Sequence, residues 1–167
     1  MASQRSWWAS KARQLGRHVV ARVRPVEHAA LAEWLTPAQL ALFDAMPVAD
    51  RRHGLDVVSA LRAAHVTDRD VHLAGLFHDA GKGQSIRLWQ RVAWSLGELL
   101  GPWVHRLAAR LPGGDVAMAR LRDHAERSAE LAAAVGCPPG SVALIRGEAG
   151  PGAAASLAAL RAADEAS

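Results

Sequence analysis

Proline and glycine break this chain at short intervals, and the residues beside them carry the chemistry of helix ends. Thr36-Pro37 followed by Gln39 reads as an N-cap, a first-turn proline and a capping-box partner. It starts a short helix through Ala45 that Pro47 ends. Asp50 suits the cap of a helix running to about His65, and Asp68 the cap of another running to about Asp79. After the Gly81-Lys82-Gly83 break, helices are expected over 85–100, 103–111 and about 115–135. Gly101-Pro102 stops the first, Pro112-Gly113-Gly114 the second, and Gly136 closes the third as a C′ glycine. Pro138-Pro139 opens a short helix to Arg146, and Gly150-Pro151-Gly152 precedes a last one over 153–165. Strand formers are scarce, with no Tyr and 2 Phe. The expectation is an all-α fold, a single compact bundle of about eight helices joined by short links. At 167 residues the chain is long enough for one sizeable core. Within it, 1–34 is expected to be a basic N-terminal helical segment packed on the core, and 35–167 the main helical domain.

The one cysteine, Cys137, excludes an internal disulfide and any Cys-rich zinc site, so a bound metal would need His and carboxylate ligands. Apolar runs are too short to span a bilayer, and Arg5, Lys11, Arg13 and Arg17 interrupt any signal-like segment, so the expected location is cytoplasmic. The net charge of +4 is unevenly spread. Residues 1–25 carry those four cations together with Arg22 and Arg24, no acidic residue, and Trp7 and Trp8. Such a helix can touch nucleic-acid phosphates or an anionic membrane surface. The plainer reading docks Trp8 on the core and leaves the arginines in solvent.

Three helical stripes hold polar residues where apolar ones are expected. They are Val71, Ala74 and His78; Leu157, Leu160 and Asp164; and Leu121, His124, Ser128 and Leu131. An inward carboxylate such as Asp164 needs compensation, from an arginine such as Arg161 or from a metal ion. Within Leu76–Gly83, His78 and Asp79 are adjacent at a helix end, and imidazole nitrogen with carboxylate oxygen suits Zn, Mn or Fe. Lys82 would then lie near a substrate phosphate and stabilise charge on its oxygens. A nucleotide-binding P-loop is excluded, because Gly75 is one residue too distant, Gly83 replaces the hydroxyl residue and no strand precedes it. His18, His28, His65, His72 and His105 read as surface or packing histidines, and Trp34, Trp89, Trp94 and Trp103 as core rather than a base-stacking platform.

Taken in order, Asp50-Arg51-Arg52-His53, then His78-Asp79-x-Gly81-Lys82, then His124, then Asp164 at the end of Leu160-Arg161-Ala162-Ala163-Asp164 resemble the HD-domain superfamily over roughly residues 35–165. Members of that superfamily are all-helical, metal-dependent phosphohydrolases. The resemblance implies His53, His78, Asp79 and Asp164 as metal ligands, and Lys82 as the lysine of the HD-x-G-K subset. His124 matches an additional histidine of members that bind two metals or use it on the phosphate. Asp79, Lys82 and His124 would be the catalytic groups, and Lys82, His124 and Arg146 would bind the phosphate. Where such members carry further histidines, this chain reads Leu144-Ile145-Arg146-Gly147-Glu148. That departure favours one divalent ion (Mn, Zn, Fe, Mg or Co), with Glu148 a substitute ligand at most. The implied activity is hydrolysis of a nucleotide or other small phosphate ester. Two alternatives stay open: an HD domain that binds a ligand or partner without turnover, and nucleic-acid binding through the basic N-terminal helix.

Overall fold

The computed structural model describes residues 21–148, 150 and 152–167, and within them the chain forms ten α-helices, one 3-10 turn and no strand. The helices are α1 (Pro25–Ala32), α2 (Pro37–Ala45), α3 (Val48–Ala63), α4 (Arg69–Phe77), α5 (Leu88–Leu100), α6 (Pro102–Ala108), α7 (Gly114–Arg122), α8 (His124–Ala134), α9 (Pro139–Arg146) and α10 (Ala154–Ala166). The 3-10 turn, Ala80–Lys82, lies between α4 and α5. The basic stretch with Trp7 and Trp8, most of the expected 1–34 segment, and His18 fall outside the described residues.

Local chemistry explains most of the boundaries. The Thr36 hydroxyl accepts from the Gln39 backbone N–H at 3.2 Å, and the Gln39 side-chain oxygen accepts from the Thr36 N–H at 3.1 Å. This reciprocal capping box starts α2. Asp68 caps α4 by accepting from the Asp70 N–H at 2.8 Å. Asp50, by contrast, is not a cap. Helix α3 begins directly after Pro47, so Asp50 lies inside its first turn and is buried. The single helix expected over 115–135 is two, parting at Asp123 (φ −98°, ψ 10°). Aspartate is a poor helix-interior residue, and here its carboxylate accepts from Arg122 Nε at 2.8 Å. Beyond the break Ser128 is buried as its stripe requires, while Leu131 turns to solvent.

The main core lies around α4, which packs against α3, α8, α9 and α10. Phe43, Val57, Leu61, Leu73, Leu76 and Phe77 are sealed from solvent there. Helix α3 comes unusually close to α4 at Gly54, where a Cβ would stand 2.6 Å from the Leu76 carbonyl oxygen. Only glycine allows that approach, and the next residue back is His53. A smaller cluster of Ile86, Ala108, Ala117, Met118 and Leu121 joins α5, α6 and α7.

Candidate metal centre

His53, His78 and Asp79 each offer a ligand atom, and these atoms all lie within 4.8 Å of one another. They reach this point from two helices held in contact by Gly54. His53 projects from the second turn of α3, while His78 is the C-cap of α4 and Asp79 starts the 3-10 turn beyond it. The imidazole rings of His53 and His78 meet edge to face, with centroids 5.2 Å apart. Asp164 of α10 stands beside the three: its Oδ1 is 2.8 Å from His53 Nε2 and 3.4 Å from His78 Nε2. It sits at the rim rather than in the core, because its side chain is 48% exposed while that of Asp79 is 5% exposed.

The tautomers follow from the backbone. His78 Nδ1 is 2.9 Å from the Gly75 carbonyl and His124 Nδ1 is 2.6 Å from the Leu121 carbonyl. A carbonyl only accepts, so each Nδ1 carries a proton and each Nε2 is left to face the cluster. His78 Nε2 lies 3.5 Å and His124 Nε2 3.9 Å from Asp79 Oδ1. The other carboxylate oxygen, Oδ2, accepts from Lys82 Nζ at 2.6 Å. Lys82 thus flanks the cluster one turn beyond Asp79, held there by the glycine-bracketed turn.

That turn is anchored by Ser128. Its hydroxyl donates to the His78 carbonyl at 2.7 Å and accepts from the Gly81 N–H at 2.8 Å. A Cβ at position 81 would stand 2.6 Å from the Ser128 nitrogen and also meet the His124 carbonyl, so glycine lets the turn lie flat on the start of α8. Gly83 leaves the turn with φ +68°.

Electrostatics bind the group together. Burial opposes charge on His78, but the carboxylates of Asp79 and Asp164 outweigh it and push the imidazole up to about 9. Burial likewise disfavours ionised Asp79, yet the Lys82 ammonium and the two imidazoles hold its carboxyl well below the usual range. Asp164 is also held low: hydrogen bonds from His53 and His78 overcome its partial desolvation.

The donor set could hold a divalent ion of the zinc, manganese or iron type: two imidazole nitrogens and a carboxylate oxygen converge, and the outer atoms of His78 and Asp79 are already hydrogen-bonded. Of the remaining expected residues, Arg146 pairs with Glu126 of α8 at 2.9 Å in an open groove, and Glu148 is exposed. Among the described residues no ion pair links either of them to the cluster. His28, His72 and His105 have partners of their own in Asp44, the Val66 carbonyl and the Trp94 carbonyl.

One supporting residue was not legible in the sequence. Arg91 of α5 grips the buried Asp50 with two bonds, Nη1–Oδ1 at 2.6 Å and Nη2–Oδ2 at 2.8 Å. Asp50 lies one turn before His53, so this pair fixes the end of α3 that presents the histidine. The signal available was an arginine interrupting the apolar run Leu88–Trp94. Searches of protein families, of curated proteins and of solved structures find no match to this chain.

Proposed function

We propose that the chain is a metal-dependent phosphohydrolase of HD-domain type, acting on a nucleotide or other small phosphate ester. The observation that carries the reading is the convergence of His53, His78 and Asp79 within 4.8 Å, with an ammonium on the far oxygen of the same carboxylate. His53, His78, Asp79 and Asp164 would hold one divalent ion. Such an ion supplies Lewis acidity toward a phosphoryl oxygen and toward water. The protein supplies the rest. Lys82 stands where its charge can meet phosphoryl oxygens once Asp79 is shared. His124 has its Nδ1 proton committed to Leu121, so Nε2 is the atom that gains and gives a proton, suited to a leaving oxygen.

The test is metal analysis of the purified chain, followed by hydrolysis assays on nucleotides and generic phosphate esters, with His53→Ala and Asp79→Ala alongside. Bound metal and turnover in the wild type, both lost in the variants, support the reading. A wild type that holds no metal and behaves like its variants overturns it. The pairing of Arg146 with Glu126 favours a second reading, ligand binding without turnover, which predicts bound metal but no hydrolysis of any ester.

A further inference from the structure

Helix α5 has the composition of a core helix but does not behave as one. Its sequence, LWQRVAWSLGELL, is dominated by apolar residues, yet the only residues it fully buries are Gln90 and Gly97. The hairpin it makes with α6 leaves an apolar edge in solvent. Leu100 is 50%, Trp103 56%, Leu107 55% and Leu111 50% exposed. Trp103 and Leu107 are one turn apart on α6, Leu111 lies in the bend beyond the end of the helix, and the Trp103 indole N–H donates to the Leu100 carbonyl at 3.0 Å. Leu100, Trp103 and Leu107 thus lie near one another on the exposed side of the hairpin, with Leu111 following in the chain, and Trp103 belongs to this apolar edge rather than to the core expected from the sequence. An exposed patch of this kind marks a surface built to be covered.

Charge indicates what covers it. Glu98 is the hairpin's one acidic residue; residues 99–111 contain none, and Arg106 and Arg110 stand exposed there. Neither has an ion-pair partner among the described residues. A second copy would bring the same positive rim, and the chain's own residues 1–20 are basic as well. Among the described residues, no helix is long and apolar enough to cross a membrane. Tryptophan and leucine projecting between unpaired arginines are the features of a helix that lies in the plane of a headgroup layer.

We propose that the α5–α6 hairpin docks this protein on an anionic phospholipid surface, with Leu100, Trp103, Leu107 and Leu111 inserted among the acyl-chain ends and Arg106 and Arg110 on lipid phosphates. The proposal is independent of the reaction assigned to the metal centre. It also gives the hairpin a relation to that centre, because Arg91 ties α5 to α3 through Asp50.

The experiment is flotation of the full-length chain with vesicles of phosphatidylcholine alone or with about a third phosphatidylglycerol. Trp103→Glu/Leu107→Glu and Arg106→Gln/Arg110→Gln would be compared with wild type after melting curves confirm that these surface changes leave the fold intact. The expected result is binding to the anionic vesicles only, weakened by salt, and reduced about tenfold or more in each double variant. Brominated lipid should quench wild-type tryptophan fluorescence, and the quenching should fall in Trp103→Phe. Three results would overturn the proposal. The first is anionic-vesicle binding unchanged in Trp103→Glu/Leu107→Glu but lost when Arg5, Lys11, Arg13 and Arg17 are neutralised. The second is no vesicle binding together with a dimer that Trp103→Glu/Leu107→Glu dissociates. The third is no vesicle binding together with tight oligonucleotide binding that Arg106→Gln/Arg110→Gln abolishes.

Discussion

Replacing Ser128 by alanine should loosen the metal centre without touching any candidate ligand. The hydroxyl is sealed from solvent and satisfies two backbone groups at once, the His78 carbonyl and the Gly81 N–H. Alanine is smaller, so it introduces no clash, and the loss is one of hydrogen bonding. Stranding the Gly81 donor costs about 1–3 kcal/mol, and the lost bond to the His78 carbonyl adds about 1 kcal/mol. A total near 3 kcal/mol corresponds to a melting temperature lowered by roughly 6–12 °C for a chain of this size. Urea unfolding should show a lower midpoint with an unchanged slope. Because the same turn presents His78, Asp79 and Lys82, metal affinity should fall by about tenfold or more, as it does when groups that orient ligands are removed elsewhere. A variant that unfolds at the wild-type midpoint and binds metal equally well would refute the idea that Ser128 anchors the turn.

The other expectations concern the supports and the proton balance of the site. Arg91→Met should destabilise the protein by about 3–5 kcal/mol by leaving Asp50 buried and unpaired, and adding Asp50→Leu should recover most of the loss; urea midpoints of the single and double variants decide this. Metal affinity should rise with pH by up to about tenfold per unit until it flattens near 9, because a ligating His78 must first lose its proton. Chelator competition across that range measures it, and a flat profile would refute a ligating His78 that stays protonated up to about 9. In metal-free protein the sign for folding is the opposite. The raised His78 value contributes stability in full below about 6.5, and that contribution is lost as pH rises through about 9.

What could be read in the sequence was whatever depends on near neighbours. The cap at Thr36, the cap at Asp68 and the positive-φ glycine at 136 are decided within a few residues, and the helix starts and the helix end they mark stand where expected. Asp50 looked like another cap because its partner, Arg91, is 41 residues away and only the packed bundle brings them together. The break at Asp123 was missed because one aspartate within a helix-like pattern is a weak stop signal. Ser128 was visible as a polar residue on an apolar stripe, but the two groups it joins lie in a turn about fifty residues earlier. Periodicity placed Asp164 on the inward face of the last helix without showing that this face ends at a rim. For Trp103 the pattern showed an apolar face and nothing of what lies opposite it. Convergence of ligands is likewise a property of how α3, α4 and α10 pack, which residue spacing does not encode.

The position of Asp164 leads to one more consequence of the proposed centre. Helix α10 is the last element, docked by Leu157, Leu160 and Ala163, and its Asp164 Oδ1 reaches both imidazoles. If Asp164 shares the ion with His53 and His78, opening α10 must break that coordination, so bound metal and docked helix stabilise each other. At a metal concentration about a hundred times the dissociation constant, the linkage amounts to about 2.7 kcal/mol, which slows amide exchange through such openings up to about a hundredfold. Protection should therefore increase along α10 on adding Zn or Mn, and much less along α2, which contributes no ligand. Asp164→Ala should retain some metal through the other three residues yet lose the added protection of α10. If metal binds stoichiometrically and exchange in α10 does not change, Asp164 is a hydrogen-bond partner of the histidines and not a ligand.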